Sequence, residues 1–220
     1  MPREPRSLPF LLAFAATLGG CWSNEPSAFP PGLEPLEDNP VALPGTADDP
    51  FPETLVLEGV DGPRHDTVYA RGYLRAPLAE VWAVFRDPAV GTDRRSADAW
   101  EVEPLEDPDY DDSYVIHSTA FEIVTVDWWT TWRHGVVAGT AEAPELVAIR
   151  WQKTDGSTIL RLIEGSIVLR PADGGAATEI ELVYRVDALA SGLDEYSRYV
   201  NDVFEDARAL LHGEPLPTYD

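Results

Sequence analysis

The strongest periodic pattern lies near the C-terminus, where Leu193, Tyr196, Val200, Val203, Phe204, Ala207, Leu210 and Leu211 recur at helical offsets. They form one apolar stripe and predict a helix of about five turns, entered after Ser191 and closed by Gly213 in the position of a C-cap glycine. Upstream the period changes to two. Ile180, Leu182, Tyr184 and Val186 alternate with Glu179, Glu181 and Arg185, which predicts a strand with one buried and one wet face. It is the last of six strand-like segments, near 99–105, 113–126, 128–139, 146–154, 158–170 and 177–188. Turn chemistry such as Asp107-Pro108-Asp109, Thr154-Asp155-Gly156-Ser157 and Asp173-Gly174-Gly175 separates them. Such short connections make hairpins, so the sheet should be antiparallel. Before it, residues 67–76 alternate as a strand that Pro77 stops. Leu78, Val81, Trp82 and Phe85 then share the face of a short helix ended by Asp87-Pro88, with a further turn of helix expected within 89–97. The fold class is α+β, with one domain over 65–213 and a short tail over 214–220.

The N-terminal part follows other rules. Residues 22–63 hold nine prolines among many acids and show no sustained apolar period. They are expected to form a flexible tether with an r.m.s. span of roughly 35–40 Å. Within it, residues 54–58 (Thr-Leu-Val-Leu-Glu) are apolar enough to add an edge strand or to dock on the domain, and the sequence leaves both open. At the start, Arg3 and Arg6 precede an almost wholly apolar run from Leu8 to Leu18, the layout of a secretory signal. Eleven residues cover only about half of a hydrocarbon core, too few for a stable transmembrane helix.

Leu18-Gly19-Gly20-Cys21 resembles the bacterial lipobox, in which the cysteine receives diacylglycerol and becomes the mature N-terminus. The resemblance implies a signal peptide over 1–20, lipidation at Cys21 and a membrane partner through that residue. Multiple acyl chains on one residue anchor stably, whereas a single chain binds only marginally. By the same resemblance, Trp22 in place of Asp favours the outer membrane, with the domain facing the periplasm or the cell surface. The alternative is a soluble secreted protein cleaved near Ala13-Phe14-Ala15, which would leave the only cysteine as a free thiol in an oxidising compartment.

Composition narrows the function classes. Removing residues 1–20 takes away Arg3, Arg6 and Glu4 and leaves a formal charge of −24. Such a surface repels phosphate backbones and anionic headgroups, so nucleic acid is not an expected partner. One cysteine permits no internal disulfide, and stability must come from a packed core that holds every tryptophan except Trp22.

The order strand, short helix, six-stranded meander, long terminal helix resembles the START-related superfamily, also called SRPBCC, helix-grip or polyketide cyclase-like. The segment from Arg75 to Pro88 (Arg-Ala-Pro-Leu-Ala-Glu-Val-Trp-Ala-Val-Phe-Arg-Asp-Pro) looks like that superfamily's opening. Gly165-Ser-Ile-Val-Leu-Arg-Pro171, Gly174-Gly175 and Thr178-Glu-Ile-Glu-Leu-Val-Tyr184 look like its closing hairpin. The likeness spans about residues 66–212. It implies a curved sheet of six or seven strands gripping the long helix, with an apolar cavity between them that holds lipids, sterols or polyketides, or in some members serves catalysis. Fold alone does not choose among these.

Candidate ligand-binding residues follow from strand parity and the helix stripe: Trp82, His117, Trp128, Trp132, His134, Trp151, Glu164, Tyr184, Tyr196 and Val200. Alternation puts Trp128, Trp132 and His134 on one face and Trp129 and Arg133 on the other. His117 and His134, with Glu122 and Asp127 near in sequence, could form an acid/base pair. Their spacing matches no metal signature, and no metal or cofactor is expected. Glu164 stands alone in an apolar strand, either as a polar anchor in the cavity or at a bulge beside Gly165. The acidic run from Glu101 to Asp112 lacks the order of a calcium loop and reads as a solvated loop. No nucleophile elbow, P-loop or dinucleotide fingerprint occurs. Three functions follow: a non-catalytic carrier of a small hydrophobic ligand or lipid, a cyclase or dehydratase-like enzyme using His117, His134 or Glu164, and an envelope interaction module with a filled core.

Overall fold

The structure is a computed structural model and describes residues 26–121, 124–189 and 192–219. The signal segment, Cys21, Trp22, Glu122 and Ser191 lie outside the described residues.

Eight strands form one antiparallel sheet: β1 (Leu55–Val60), β2 (Asp66–Leu74), β3 (Ala99–Pro104), β4 (Asp112–Phe121), β5 (Thr125–Gly139), β6 (Pro144–Gly156), β7 (Leu160–Ala172) and β8 (Ala177–Ala188). Their order across the sheet is β1-β2-β8-β7-β6-β5-β4-β3. Helices α1 (Leu78–Phe85) and α2 (Pro88–Gly91) carry the chain from β2 to the far edge, and the meander returns strand by strand until β8 closes against β2. Helix α3 (Leu193–Leu211) then packs across the concave face with α1. This is the helix-grip arrangement, with eight strands because residues 55–60 pair along β2 from Leu55↔Gly72 to Val60↔Thr67.

Local chemistry sets the elements. Pro77 caps α1, and Leu78, Val81, Trp82 and Phe85 are its buried face. Pro88 is the first residue of α2, where its missing N–H costs nothing, and the Asp87 carboxylate accepts from the Ala89 N–H at 3.0 Å. Tyr196, Val200, Val203, Phe204 and Ala207 form the buried stripe of α3. Between β7 and β8, Asp173, Gly174 and Gly175 all have positive φ, two of them at glycine, which suits a tight reversal. The acidic run is part strand: Glu101 and Glu103 stand exposed on edge strand β3. Asp111 accepts the Val136 N–H at 2.7 Å, and Asp112 pairs with Arg86 at 2.9 Å.

Residues 26–53, expected to hang free as a tether, instead lie as a strap along the outer face of the sheet. The Leu36 N–H donates to Ser166 Oγ at 3.1 Å. The Asn39 amide donates at 3.0 Å to the carbonyls of both Ala70 and Leu182, cross-strand partners in β2 and β8. Arg133 and Arg150 reach up to the carbonyls of Pro30 and Glu34, and Glu37 accepts from Tyr69 at 2.8 Å and pairs with Arg185 at 2.8 Å. A proline-rich chain can dock this way because strap carbonyls need only donors, which the sheet's side chains supply; proline's missing N–H leaves nothing unsatisfied. The consequence is that Ala148, Ser166, Val168 and Val183, all on the face that alternation leaves to solvent, are buried. The tail is fixed too: Tyr219 donates to Asp206 at 2.6 Å.

Asn39→Ala removes both bonds to the sheet and the acceptor for the Val41 N–H. We expect a loss of about 1–2 kcal/mol of stability in denaturant unfolding and faster hydrogen exchange at Val41. Unchanged exchange would show that the strap holds without this residue.

Candidate functional site

Register builds the site. Tyr114 in β4 faces Trp132 in β5, Trp132 faces Trp151 in β6, Trp151 faces Gly165 in β7, and Gly165 faces Tyr184 in β8. This single row crosses five strands on the concave face. Trp132 and Trp151 stack with centroids 4.5 Å apart and planes 6° from parallel. Trp151 also reaches Tyr184 at 6.1 Å although a whole strand lies between them. The gap is bridged because Gly165 has no side chain: a Cβ there would fall 1.9 Å from the Trp151 ring. From α3, Tyr199 and Tyr196 meet Tyr184 at 4.7 and 6.3 Å.

Beside this row is a cavity of about 100 Å³. Its walls include Trp128, Trp132 and Trp151 from the sheet, Tyr184 from β8, and Tyr196 and Tyr199 from α3. The connection after α2 supplies Thr92, Asp93 and Ser96, and α3 adds Glu195. That connection is clamped to α3. Arg94 grips both oxygens of Asp206 at 2.6 Å, Arg95 pairs with Asp202 at 2.6 Å, and both guanidinium groups lie over the ring of Tyr219 at 4.9 and 4.5 Å. Burial holds the Asp206 carboxyl above its ordinary value, against the Arg94 and Tyr219 hydrogen bonds that pull it down. The Tyr199 hydroxyl donates to Gly91 O at 2.9 Å and closes the same corner. Burial raises the Tyr184 and Tyr199 hydroxyls well above the ordinary tyrosine value, so both stay protonated. Two polar atoms in the walls are unpaired: the indole N–H groups of Trp132 and Trp151 are buried without an acceptor. Each such orphan costs on the order of 1–3 kcal/mol, and since neither nitrogen opens onto the cavity in this packing, a guest's acceptor would reach it only with a turn of the ring.

The sequence-based candidates divide. Trp128, Trp132, Trp151, Tyr184 and Tyr196 converge on the cavity. Trp82 and Val200 are buried in the packed core away from it. His134 faces inward as alternation predicts, but it sits behind the cavity wall, with Nε2 3.4 Å from the Tyr114 hydroxyl. Burial pushes its pKa down to about 4, so it is neutral at ordinary pH. His117 is on the outer face, stacked on Trp129 at 4.0 Å and 3.1 Å from Asp127. It has odd parity relative to Tyr114 and Ile116, and its partner in register is the outward Trp129. Glu164 is also outside, paired with Arg185 at 3.2 Å, and β7 has no bulge beside Gly165. Both readings of Glu164 therefore give way to a third: the acid serves the strap-facing ion pairs, and the glycine serves Trp151. Sequence reasoning missed Tyr199, Asp93, Ser96 and Glu195. Tyr199 follows Tyr196 by three residues on the same helix face, which was a usable signal; the loop residues gave none.

No family model matches the chain, and no curated protein matches it in sequence. Among solved structures it is similar to the Zhui aromatase/cyclase of Streptomyces sp. R1128, at 18% identity over 68% of this chain and 93% of that one, with a TM-score of 0.40. It is also similar to the lipid transfer and protein localization domain of human StarD13, at 13% identity over 72% of this chain and 83% of that one, with a TM-score of 0.49. A Thermus thermophilus protein gives 18% identity over 67% and 92%, with a TM-score of 0.41.

Two outcomes test this site. Gly165→Ala should cost about 1–3 kcal/mol in unfolding experiments, because Trp151 must leave its rotamer or the strand must shift. It should also change the near-ultraviolet circular dichroism of the stacked indoles. An alanine variant as stable as the parent would refute the row. His134 is the second test. Its folded pKa of about 4 lies below the ordinary 6.5, so the unfolded chain binds the extra proton as pH falls from 6.5 towards 4. Its contribution is intact above 6.5 and is lost on acidification, up to about 3 kcal/mol. Stability measured against pH for the parent minus His134→Gln should slope upward across that window; a flat difference would mean the imidazole is not desolvated.

Proposed function

We propose that the protein is a non-catalytic, lipid-anchored binding protein of the bacterial envelope whose interior holds a compact, mostly apolar molecule bearing a hydrogen-bond acceptor. The observation that carries this reading is the ring-walled cavity with two orphan indole donors. An apolar wall with a few unpaired polar atoms is the ordinary composition of a small-molecule site. The size limits the guest. Pockets for drug-sized ligands run about 300–1,000 Å³. An engineered cavity of about 150 Å³ takes benzene. At about 100 Å³, the interior as it stands suits an occupant no larger than a single small ring. A sterol or acyl chain would require the connection after α2 to leave α3.

The anchoring half rests on the sequence: the basic and apolar start, then Leu18-Gly19-Gly20-Cys21. Proton-transfer catalysis by the three groups first suspected lacks geometry, since His117 and Glu164 face outward and His134 is walled off from the cavity. A second hollow, of about 510 Å³, supports a different binding reading. It is a shallow groove between the strap at 31–35 and the outer face, lined by Leu33, Val136, Val137, Leu146 and Val168.

Benzene and cyclohexanone are suitable probes. Both should bind, the ketone more tightly, and the ketone should shift the indole N–H resonances of Trp132 and Trp151. Ser118→Met, which fills the cavity from β4, should weaken binding by roughly tenfold or more, equivalent to about 1.4 kcal/mol, while Val137→Ser in the outer groove should not. If neither probe binds and protein extracted from its own membranes carries no small molecule, the interior is structural and the reading fails.

A further inference from the structure

Three large apolar side chains stand exposed at one end of the sheet: Phe121 (62%), Val124 (41%) and Leu189 (57%). Register places all three at the same end, with β5, β6 and β7 between the β4–β5 tip and the exit of β8. Ala120 faces Val126, Trp128 faces Gly156 and Leu160 faces Ala188. The ends of β4 and β6 and the exit from β8 therefore share one end, where Leu189 donates to Ile159 O at 3.0 Å. Loop tips rarely carry such residues in water without a use, whereas scattered ones on strands, such as Val137 at the other end, need none. The cavity lies at this end as well, since Trp128, Leu160, Val186 and Glu195 are among its walls.

The strap supplies the second observation. Its first described bonds run from the Ser27 N–H to Thr154 O at 2.8 Å and from Gln152 Nε2 to Ala28 O at 2.5 Å. The chain thus joins the fold beside the end of β6, among the same tips. Six peptide units separate Cys21 from Ser27 and span at most about 20 Å. A free tether of 42 residues would let the domain tumble; a strap docked from Ser27 shortens the free link to six peptide units.

Resting on the lipid-anchor reading, we propose that this end is a membrane-docking surface: Phe121, Val124 and Leu189 seat in the interface of the bilayer that holds Cys21, and the ring-walled cavity faces the lipid. The partner is a zwitterionic lipid surface. Asp98, Asp127, Asp155 and Asp187 stand near the same end, only the last of them in an ion pair with an arginine, Arg161 at 2.5 Å, and they oppose anionic headgroups. The acyl chains at Cys21 hold the protein to the surface, and apolar tips beside them would give that attachment an orientation.

The test uses the full chain expressed with its signal, purified from membranes and placed in phosphatidylcholine vesicles. Acylation occupies the thiol of Cys21, so Phe121→Cys, Leu189→Cys and Val137→Cys can each carry one environment-sensitive fluorophore. Nitroxide-bearing lipids should quench the labels at 121 and 189 roughly twofold or more beyond the label at 137, as interfacial seating requires. The mass of the mature N-terminus is read on the same samples. Equal quenching at all three positions on an acylated protein overturns the orientation and leaves the anchor standing. An unacylated N-terminus overturns the anchor and this inference with it.

Discussion

The fold turns on one steric allowance, the absent side chain at Gly165. It lets the Trp151 indole lie over β7 and reach from Trp132 to Tyr184, so that five strands share one continuous layer of rings. Offset or stacked aromatic pairs contribute about 0.5–1.5 kcal/mol each beyond the area they bury, and the layer contains several in series. Its other effect is on register. A one-residue slip of β6 against β5 or β7 would turn Trp151 to the outer face and leave a hole where the row now runs, so the row penalises every wrong pairing in the centre of the sheet. Helix α3 docks on rings already placed, through Tyr196 and Tyr199. The cavity is the space this layer and the helix leave between them, which is why it is small.

Cations are scarce in so acidic a chain, and several of the described arginines join separate parts. Arg94 and Arg95 bind the connection after α2 to Asp206 and Asp202 on α3, and both stack on Tyr219 from the tail. Arg133, Arg150 and Arg185 point the other way and hold the strap by its carbonyls and by Glu37. Arg71 and Arg170 form a ladder with Glu179 and Glu181 on the same outer face. These partly buried pairs fix which segment lies where, and Arg94–Asp206 is the most buried of them.

Period-two and period-3.6 patterns made the sheet, its antiparallel order, α1 and α3 legible, since both arise from burial of one face. The convergence of Trp128, Trp132, Trp151, Tyr184 and Tyr196 followed from parity for the same reason. His117 and Glu164 were misplaced because they were weighed for their chemistry rather than their parity: each is flanked by residues that do face inward, Ile116 and Ser118 in one case and Ile163 and Gly165 in the other. The strap was hidden by composition. Proline and acid runs look solvated, and the sign against that lies elsewhere in the chain, in Ala148, Val168 and Val183 occupying positions that alternation leaves to water. Loop residues Asp93 and Ser96 were illegible in principle, because their place is fixed by arginine clamps to a helix a hundred residues away.

The strap also bears on the lipid anchoring proposed above. A flexible tether would make the distance between cavity and membrane a random variable, with the domain free to present any side. Docking from Ser27 onward would limit the free link to six peptide units, at most about 20 Å, because the strap's bonds to β2, β6, β7 and β8 belong to the same sheet that carries the rings. The acids at the same end, Asp98, Asp127, Asp155 and Asp187, would oppose an anionic surface, so on that proposal the approach of Phe121, Val124 and Leu189 is favoured by apolar contact with a zwitterionic one. On that proposal, sequence features that look independent, a lipobox-like cysteine, a proline-rich leader and exposed apolar tips, would bear on a single geometric quantity, the placement of the ring-walled cavity relative to the bilayer.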